Sequence, residues 1–242
     1  HVFAKVDRHE EAERCYADLY KDERQDPSIR AHALNGWANL LDSQSQYDEA
    51  FAKLLESKAL QLSHPSIAEV AQRYDSEYSR LSHVVDSVDA NCNLANAPEC
   101  EGISNYLLTG CPRSGTTLIE KILDAHPDIV TADEYNVLTS CVIPDLLSNK
   151  LDSNGLFSMD EIQGISSSKM NTEAGNYRKA IELAIGEKIG KRQLIDKNPG
   201  LTGHIPLVLS MSQSAKVIYA LRDPRDIAVS SLFRWLPLNT AS

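Results

Sequence analysis

The sequence of 242 residues lacks several features that would place it in a specialised class. It contains no apolar run of the roughly 18 to 20 residues that a membrane-spanning helix requires, so we expect no such segment. Its five cysteines are scattered without a Cys-x-x-Cys pair, which argues against a disulfide framework and against a zinc knuckle. Aromatic residues make up only 6% of a composition that is otherwise ordinary for a globular protein. The cysteine pattern suits a reducing compartment and predicts a cytoplasmic protein.

Basic residues are also few, since the sequence has 24 Lys and Arg and 34 Asp and Glu. The resulting net charge of -10 disfavours a protein that binds nucleic acid through its phosphate backbone. Residues 1–98 carry a net charge of -7 and residues 99–242 only -3. Any anionic ligand is therefore expected in the second part of the chain.

An internal repeat occupies the first hundred residues. Residues 9–12 align with residues 47–50, and residues 26–29 align with residues 64–67, both at an offset of 38 residues. Apolar residues recur every three or four positions between residues 29 and 59, interrupted by a polar stretch at 43–46. This pattern predicts a helix, a turn and a second helix in each unit.

The repeat resembles a tetratricopeptide array, although that repeat usually has a period of about 34 residues. A generic helical bundle is the alternative. We assign residues 1–85 to an all-α helical-repeat region that resembles tetratricopeptide repeats (TPR-like). The Asn-rich residues 86–105, with Pro98 and Gly102, are assigned to a linker. Residues 106–242 form the second predicted domain.

The most informative segment begins this second domain. An apolar strand at residues 106–109 leads into Gly110–Thr117, and a helix follows with Leu118, Ile119, Ile122 and Leu123 on one face. A strand, a glycine-bounded loop and a helix direct backbone N–H groups at a phosphate. The spacing fits GxxxxGK[ST], but Thr116 stands where a nucleotide triphosphatase needs Lys. The cation lies inside the loop, at Arg113, which disfavours an ordinary ATPase.

A second strand-to-helix junction lies near the end of the sequence. The apolar residues 215–221 precede Arg222-Asp223-Pro224-Arg225-Asp226, with Pro224 near the first position of a helix. Two such junctions would give one parallel sheet two anion sites at the same edge, which suits a nucleotide with two phosphorylated positions. A solvated turn with an internal Arg–Asp pair is the simpler interpretation of this motif.

Residues 112–118 resemble the loop of sulfotransferases that use 3'-phosphoadenosine 5'-phosphosulfate (PAPS). Residues 123–127 and Glu134 extend the resemblance to protein-tyrosine sulfotransferases and to bacterial relatives fused to tetratricopeptide repeats. The resemblance implies an α/β fold, a P-loop-like parallel sheet with flanking helices, with PAPS as donor, 3'-phosphoadenosine 5'-phosphate (PAP) as product and no metal. The implied partner is a hydroxyl acceptor, with peptide tyrosine as one candidate, engaged by the TPR-like region.

The resemblance also implies roles for individual residues. The 5'-phosphosulfate would be bound by Arg113, Ser114, Gly115, Thr116 and Thr117. The 3'-phosphate would be bound by Arg222 and Ser230, and Arg234, one helical turn later, could add a third contact.

Lys197, at the end of the apolar strand 193–197, corresponds to the active-site lysine of the family, and it and Arg113 would stabilise the bridging oxygen. Glu134 corresponds to the general base, with Asp133 as the adjacent alternative. A simpler role for Glu134 is at the N-terminus of a following helix. Because another branch of the family uses a histidine base, His126 and His204 are further, weaker candidates.

Two departures from the family pattern bear on these expectations. Leu201 stands where related repeat-containing enzymes often carry Asn, and the family domain continues beyond Ser242, so an incomplete domain is expected. Two other classes of function stay open. One is a P-loop kinase with a relocated cation, and the other is a TPR-type adaptor whose nucleotide-binding domain is degenerate.

Overall fold

The computed structural model describes residues 8–62, 106–147, 164–212 and 214–234. These residues form two compact units. Residues 8–62 and 223–234 belong to one unit, and the described residues from 106 to 222 belong to the other. The linker predicted at residues 86–105 lies outside the described residues, as does the predicted repeat beyond residue 62. The predicted domain boundaries stay a prediction.

The helices and strands follow one another in this order. The first unit begins with α1 (His9–Lys21), α2 (Pro27–Ser43) and α3 (Tyr47–Leu62). The second unit contains β1 (Tyr106–Gly110), α4 (Thr116–Asp124), β2 (Ile129–Asp133), a π-helix (Leu138–Val142), α5 (Ile143–Leu147), α6 (Ser167–Ile185), β3 (Gln193–Lys197), a 3-10 helix (Pro199–His204), α7 (Ile205–Met211) and β4 (Lys216–Ala220). The last element, α8 (Pro224–Leu232), belongs to the first unit.

The first unit packs its helices through small and apolar side chains. Ala12 and Ala50, which the offset of 38 residues relates, are both fully buried, in α1 and α3. Helix α2 begins at Pro27, and the Asp26 carboxylate accepts a hydrogen bond from the Ser28 N–H at 2.8 Å. Helices α2 and α3, with their short turn, agree with the predicted helix–turn–helix. Their assignment to the tetratricopeptide class stays a prediction.

Helix α8 is part of the same unit. The Asn39 side chain donates a hydrogen bond to the Phe233 carbonyl at 3.2 Å, which ties α2 to the end of α8. Asp223 caps the helix by accepting from the Arg225 N–H at 2.8 Å, and Pro224 occupies the first turn as the sequence predicts.

The second unit is built on a parallel sheet. Its four described strands lie in the order β2-β3-β1-β4, and every neighbouring pair is parallel. The predicted α/β fold with a parallel sheet and flanking helices is confirmed. From β1 the chain passes over β3 to reach β2, and from β3 it passes over β1 to reach β4. The connections therefore leave these two adjacent strands in opposite directions across the sheet. In parallel sheets, ligands bind beyond the carboxyl ends of strands at such a reversal.

Helix α6 covers much of the core beside this sheet. It is capped by Ser166, which accepts from the Lys169 N–H at 3.3 Å, and it ends at Gly186. The buried face of α6 consists of Met170, Glu173, Ala174, Tyr177 and Ile181. Across the described part of the chain, no helix combines the length and the apolar character that crossing a bilayer requires.

Helix α4 turns an unexpected side towards the protein. The apolar residues Leu118 and Ile122 are 67% and 64% exposed, whereas Thr116 and Glu120 are buried. Ile119 and Leu123 are half-buried on the side of Thr116 and Glu120, so only part of the apolar face packs against the protein. Glu120 is buried beside Thr131 of β2 and Lys197 of β3.

Candidate active site

The anion loop, residues Cys111–Gly115, connects β1 to α4. The Ser114 N–H donates to the Cys111 carbonyl at 3.0 Å, which closes a tight turn. Gly115 precedes the first residue of α4 with φ of 100°, a conformation that favours glycine. Ser114 and Thr116 are buried, and within the described residues the Ser114 hydroxyl has no hydrogen-bond partner. The loop thus presents a helix N-terminus and an unsatisfied hydroxyl together.

Close packing against β4 explains the glycine at the end of β1. A Cβ atom on Gly110 would lie 2.7 Å from the Ala220 carbonyl oxygen and 2.9 Å from Ser114 Oγ. Gly110 also has φ of 151°. A larger residue would push the anion loop away from β4.

Arg222 reaches the anion loop from the end of β4. Its guanidinium donates to the Arg113 carbonyl at 3.1 Å, so two of the predicted donor-binding residues are in direct contact. The parallel register aligns Gly110 with Ala220, which brings the carboxyl ends of β1 and β4 to one level. Sequence reasoning predicted this convergence, because both motifs follow parallel strands.

The remaining residues of the second motif belong to the other compact unit. Ser230 lies within α8 and Arg234 just after it. Arg225 pairs with Asp223 at 2.6 Å, so the internal Arg–Asp pair of the simpler interpretation does form, alongside the separate contact of Arg222. The assignment of Ser230 and Arg234 to a 3'-phosphate stays a prediction.

Lys197 is the centre of a second group of charged residues, the lysine cluster, which consists of Lys197, Asp133, Glu134 and Glu120. The Lys197 side chain is only 1% exposed. Its Nζ lies 2.5 Å from Asp133 Oδ1, 2.7 Å from Glu134 Oε1 and 3.5 Å from Glu120 Oε2. Three carboxylates thus surround one ammonium group, and the predicted lysine and both candidate bases are together.

Burial opposes the charged form of Lys197, but the bonds to Asp133 and Glu134 outweigh it, so the pKa of Lys197 is raised above its usual value. The ammonium form is therefore the form present at neutral pH. A protonated lysine at this position can stabilise negative charge that develops on a departing oxygen.

Glu134 is held in a strained backbone conformation. Its φ is 55°, and its N–H donates to the Lys197 carbonyl at 2.8 Å, one residue beyond the paired Asp133 and Lys197. Arg113, in the anion loop, has φ of 72°. A left-handed non-glycine residue costs on the order of 1 kcal/mol, and such residues concentrate at functional sites. Glu134 also lies just before the helical segment that contains the π-helix, so the simpler role near a helix N-terminus is compatible with its position.

Two histidines were weaker candidates for a base. His126 Nδ1 accepts a hydrogen bond from the Asp128 N–H at 3.1 Å, in the turn after α4. Burial lowers the pKa of His204, at the end of the 3-10 helix. The contacts described above favour Glu134 instead, because it touches Lys197 directly.

On the other face of β3, Asp196 is buried against α6. The Tyr177 hydroxyl donates to Asp196 Oδ2 at 2.5 Å, and both side chains are nearly inaccessible. Burial raises the pKa of Asp196 to about 6, although the bond from Tyr177 and the charge of Lys197 act in the opposite direction. This pair anchors β3, and hence Lys197, to α6.

Sequence reasoning missed Glu120, Tyr177 and Asp196. Glu120 lies on α4 beside apolar residues that drew attention to the opposite face, and no motif marks it. In the described residues, no group of three or more His, Cys, Asp or Glu side chains has an arrangement suited to a metal ion.

A parallel sheet with an anion loop and a charged cluster at one edge is typical of proteins that bind phosphorylated ligands. The family model described as "Sulfotransferase family" matches residues 107–242. The chain therefore belongs to the sulfotransferase family, which is a family of transferases.

Curated relatives agree with this assignment. The chain is 31% identical over 125 residues to a protein-tyrosine sulfotransferase of Drosophila melanogaster, covering 52% of this chain and 24% of that protein. It is 26% identical to protein-tyrosine sulfotransferase A of Caenorhabditis elegans, covering 52% and 32%. It is 30% identical to the nodulation protein NoeE of Sinorhizobium fredii, covering 53% and 31%. The matches span only about a quarter to a third of these relatives. No solved structure matches the chain significantly.

Proposed function

We propose that this chain carries donor-binding and catalytic residues of a sulfotransferase that transfers a sulfuryl group from PAPS to a hydroxyl acceptor and releases PAP. One observation carries the proposal: the anion loop follows β1, Lys197 ends the adjacent parallel strand β3, and Glu134, which follows β2, contacts Lys197 at the same edge. Family membership supports the reaction class.

The anion loop suits the 5'-phosphosulfate of the donor. Backbone N–H groups at the start of α4, with the hydroxyls of Ser114 and Thr116, can donate to its oxygens. The buried Ser114 hydroxyl has no partner in the described residues, and a phosphate oxygen would supply one. Thr116 in place of a lysine matches a group with less charge than a triphosphate. Arg113 provides the cation, and Gly115 and Thr117 complete the binding segment.

The 3'-phosphate is assigned to Arg222, Ser230 and Arg234. Arg222 already contacts the anion loop through the Arg113 carbonyl. The other two follow from the family resemblance. No metal is required, since arginine and lysine supply the positive charge.

The chemistry assigned to the lysine cluster is an in-line transfer. The acceptor oxygen forms a bond to sulfur while the bond from sulfur to the bridging oxygen breaks, and the electron pair of that bond stays on the phosphate. Lys197 and Arg113 stabilise the charge on this oxygen. Glu134 takes the proton of the acceptor hydroxyl. Asp133, which also contacts Lys197, is the alternative base, and Glu134 is favoured by its strained backbone.

The acceptor class proposed is a tyrosine of a peptide or protein. Two relatives are named protein-tyrosine sulfotransferases, which supports this class. The helical first unit, whose part of the sequence is acidic, is proposed to engage the acceptor. A cytoplasmic location stays a prediction.

Calorimetry with PAP on the full-length protein tests the donor assignment. Arg113→Ala and Arg222→Ala should each weaken PAP binding by about 10-fold to 150-fold, which corresponds to the loss of one hydrogen bond to a charged group. Arg225→Ala is the matched control, because Arg225 pairs with Asp223 and should leave binding unchanged. Absence of PAP binding by the unaltered protein, or Mg²⁺-dependent binding of ATP instead, would refute the proposal.

A further inference from the structure

Glu120 is a fully buried acid that the proposed reaction does not use. It lies one helical turn after Thr116 on α4, and its side chain is 0% exposed. Glu120 Oε1 lies 3.2 Å from the Thr131 hydroxyl of β2, which can donate to it or to Asp124 Oδ1 at 3.0 Å. In the described part of the chain, Glu120 Oε2 accepts no hydrogen bond, and it lies 3.5 Å from Lys197 Nζ. A buried carboxylate is costly unless a charge compensates it. Lys197 is the buried charge beside Oε2, and the largely exposed Lys121 has its Nζ 3.7 Å from Oε1.

The other two carboxylates of the lysine cluster are in a different environment. The side chains of Asp133 and Glu134 are 53% and 54% exposed, although both contact Lys197 closely. Exposed carboxylates can turn towards solvent or towards a substrate. Glu134 contacts Lys197 through Oε1, and accepting the proton of an acceptor hydroxyl removes the negative charge that this contact depends on. Glu120, next to Thr131 and excluded from solvent, stays beside Lys197 throughout.

We propose that Glu120 is a positioning residue that keeps the Lys197 ammonium charged and fixed at the end of β3 when Glu134 engages the acceptor. Because Glu120 and Thr116 share the buried side of α4, this contact also couples the start of the helix to the end of β3. The inference rests on the proposed function, since the role of Lys197 belongs to that proposal. Glu120 acts through Lys197 and touches neither donor nor acceptor.

The direct test follows the charge of Lys197 without any substrate. In full-length protein with isotope-labelled lysine, the NMR signal of Lys197, assigned with Lys197→Arg, is titrated over the alkaline range in which the protein stays folded. Glu120→Gln, which keeps the size and an oxygen that can accept from Thr131, should lower the midpoint by at least about 1 pH unit. Glu173→Gln is the matched control, because Glu173 is also buried but bonds to Asn176. An unchanged midpoint in Glu120→Gln would overturn the proposal.

The kinetic test uses the same variants. In Glu120→Gln the alkaline limb of the kcat profile should move to lower pH, whereas Glu173→Gln should keep the profile of the unaltered protein. A uniform loss of kcat at every pH would indicate a merely structural role. Failure of the proposed function would appear separately, as absence of PAP binding and transfer in the unaltered protein, and it would leave the NMR titration intact.

A third measurement covers the case in which Glu120→Gln fails to fold. The double variant Glu120→Gln with Lys197→Met removes both charges and should be more stable than Lys197→Met alone, because no buried charge is left uncompensated. A double variant no more stable than Lys197→Met would contradict the pairing of these two groups.

Discussion

The anion loop and the lysine cluster lie at the same edge of one sheet, but their polar and charged groups differ in how far they are already paired. The anion loop has a buried hydroxyl without a partner in the described residues, and its positive charges are Arg113, within the loop, and Arg222, which reaches it from the end of β4. The lysine cluster has one ammonium that three carboxylates already satisfy. The first region is therefore ready to receive an anion. In the second region, a substrate would compete with carboxylates that already surround the lysine.

The largest expected effect is on kcat and concerns Glu134, the carboxylate assigned as general base. Glu134→Gln should lower kcat by about 10²-fold to 10⁴-fold, the usual contribution of a general base, and should preserve PAP binding. Steady-state kinetics and calorimetry measure the two quantities. Asp133→Asn is the comparison, and a larger loss of kcat in that variant would transfer the role of base to Asp133.

The next effect is on stability and concerns Lys197, which the three carboxylates surround. Lys197→Met should lower the free energy of unfolding by about 3 to 5 kcal/mol, because it leaves the fully buried Glu120 with only the largely exposed Lys121 as a counter-charge. Chemical denaturation measures this change. Lys188→Met, which removes an 85% exposed lysine paired with Glu182, should have no measurable effect. Equal stability of the two variants would show that the lysine cluster contributes nothing to folding.

The next prediction concerns the buried Asp196 of β3 and the dependence of stability on pH. Its pKa in the folded protein is about 6, above the value of about 3.9 expected when unfolded. The folded state therefore binds this proton more tightly, and stability falls as pH rises from about 4 to about 6, by about 3 kcal/mol in all. Asp196→Asn should remove this loss and be more stable than the unaltered protein at neutral pH. The exposed Asp18→Asn is the control, and denaturation at several pH values decides between the outcomes.

The smallest effect concerns the unpartnered hydroxyl of the anion loop. Ser114→Ala should weaken PAP binding by about 2-fold to 10-fold, the value of one neutral hydrogen bond, and leave stability unchanged. Ser210→Ala is the control. The Ser210 hydroxyl donates to the Leu207 carbonyl, so its removal should leave PAP binding unchanged. A loss of stability in Ser114→Ala without a loss of affinity would mean that the hydroxyl serves the fold.

Much of the site could be predicted because its residues directly follow strands. Apolar strands ending at Gly110, Lys197 and Ala220 indicated where side chains would meet, and parallel pairing brought the contact of Arg222 with the anion loop. Helix α6 and its Tyr177–Asp196 pair could not be found in this way, because a buried acid and its partner lie far apart in sequence. The exposure of Leu118 and Ile122 shows that an apolar pattern alone does not identify a buried helix face.

The order of residues was enough to identify the family, the loop with threonine in place of a phosphate-binding lysine, and the lysine and glutamate that meet at the sheet edge. These features are local, since spacing and strand ends encode them. The three-dimensional structure was needed to show that Glu120 is buried, that it lies beside Lys197 and that Glu134 has a strained backbone. Burial and charge pairing arise from packing between distant segments, so they depend on how α4, β2 and β3 come together in space.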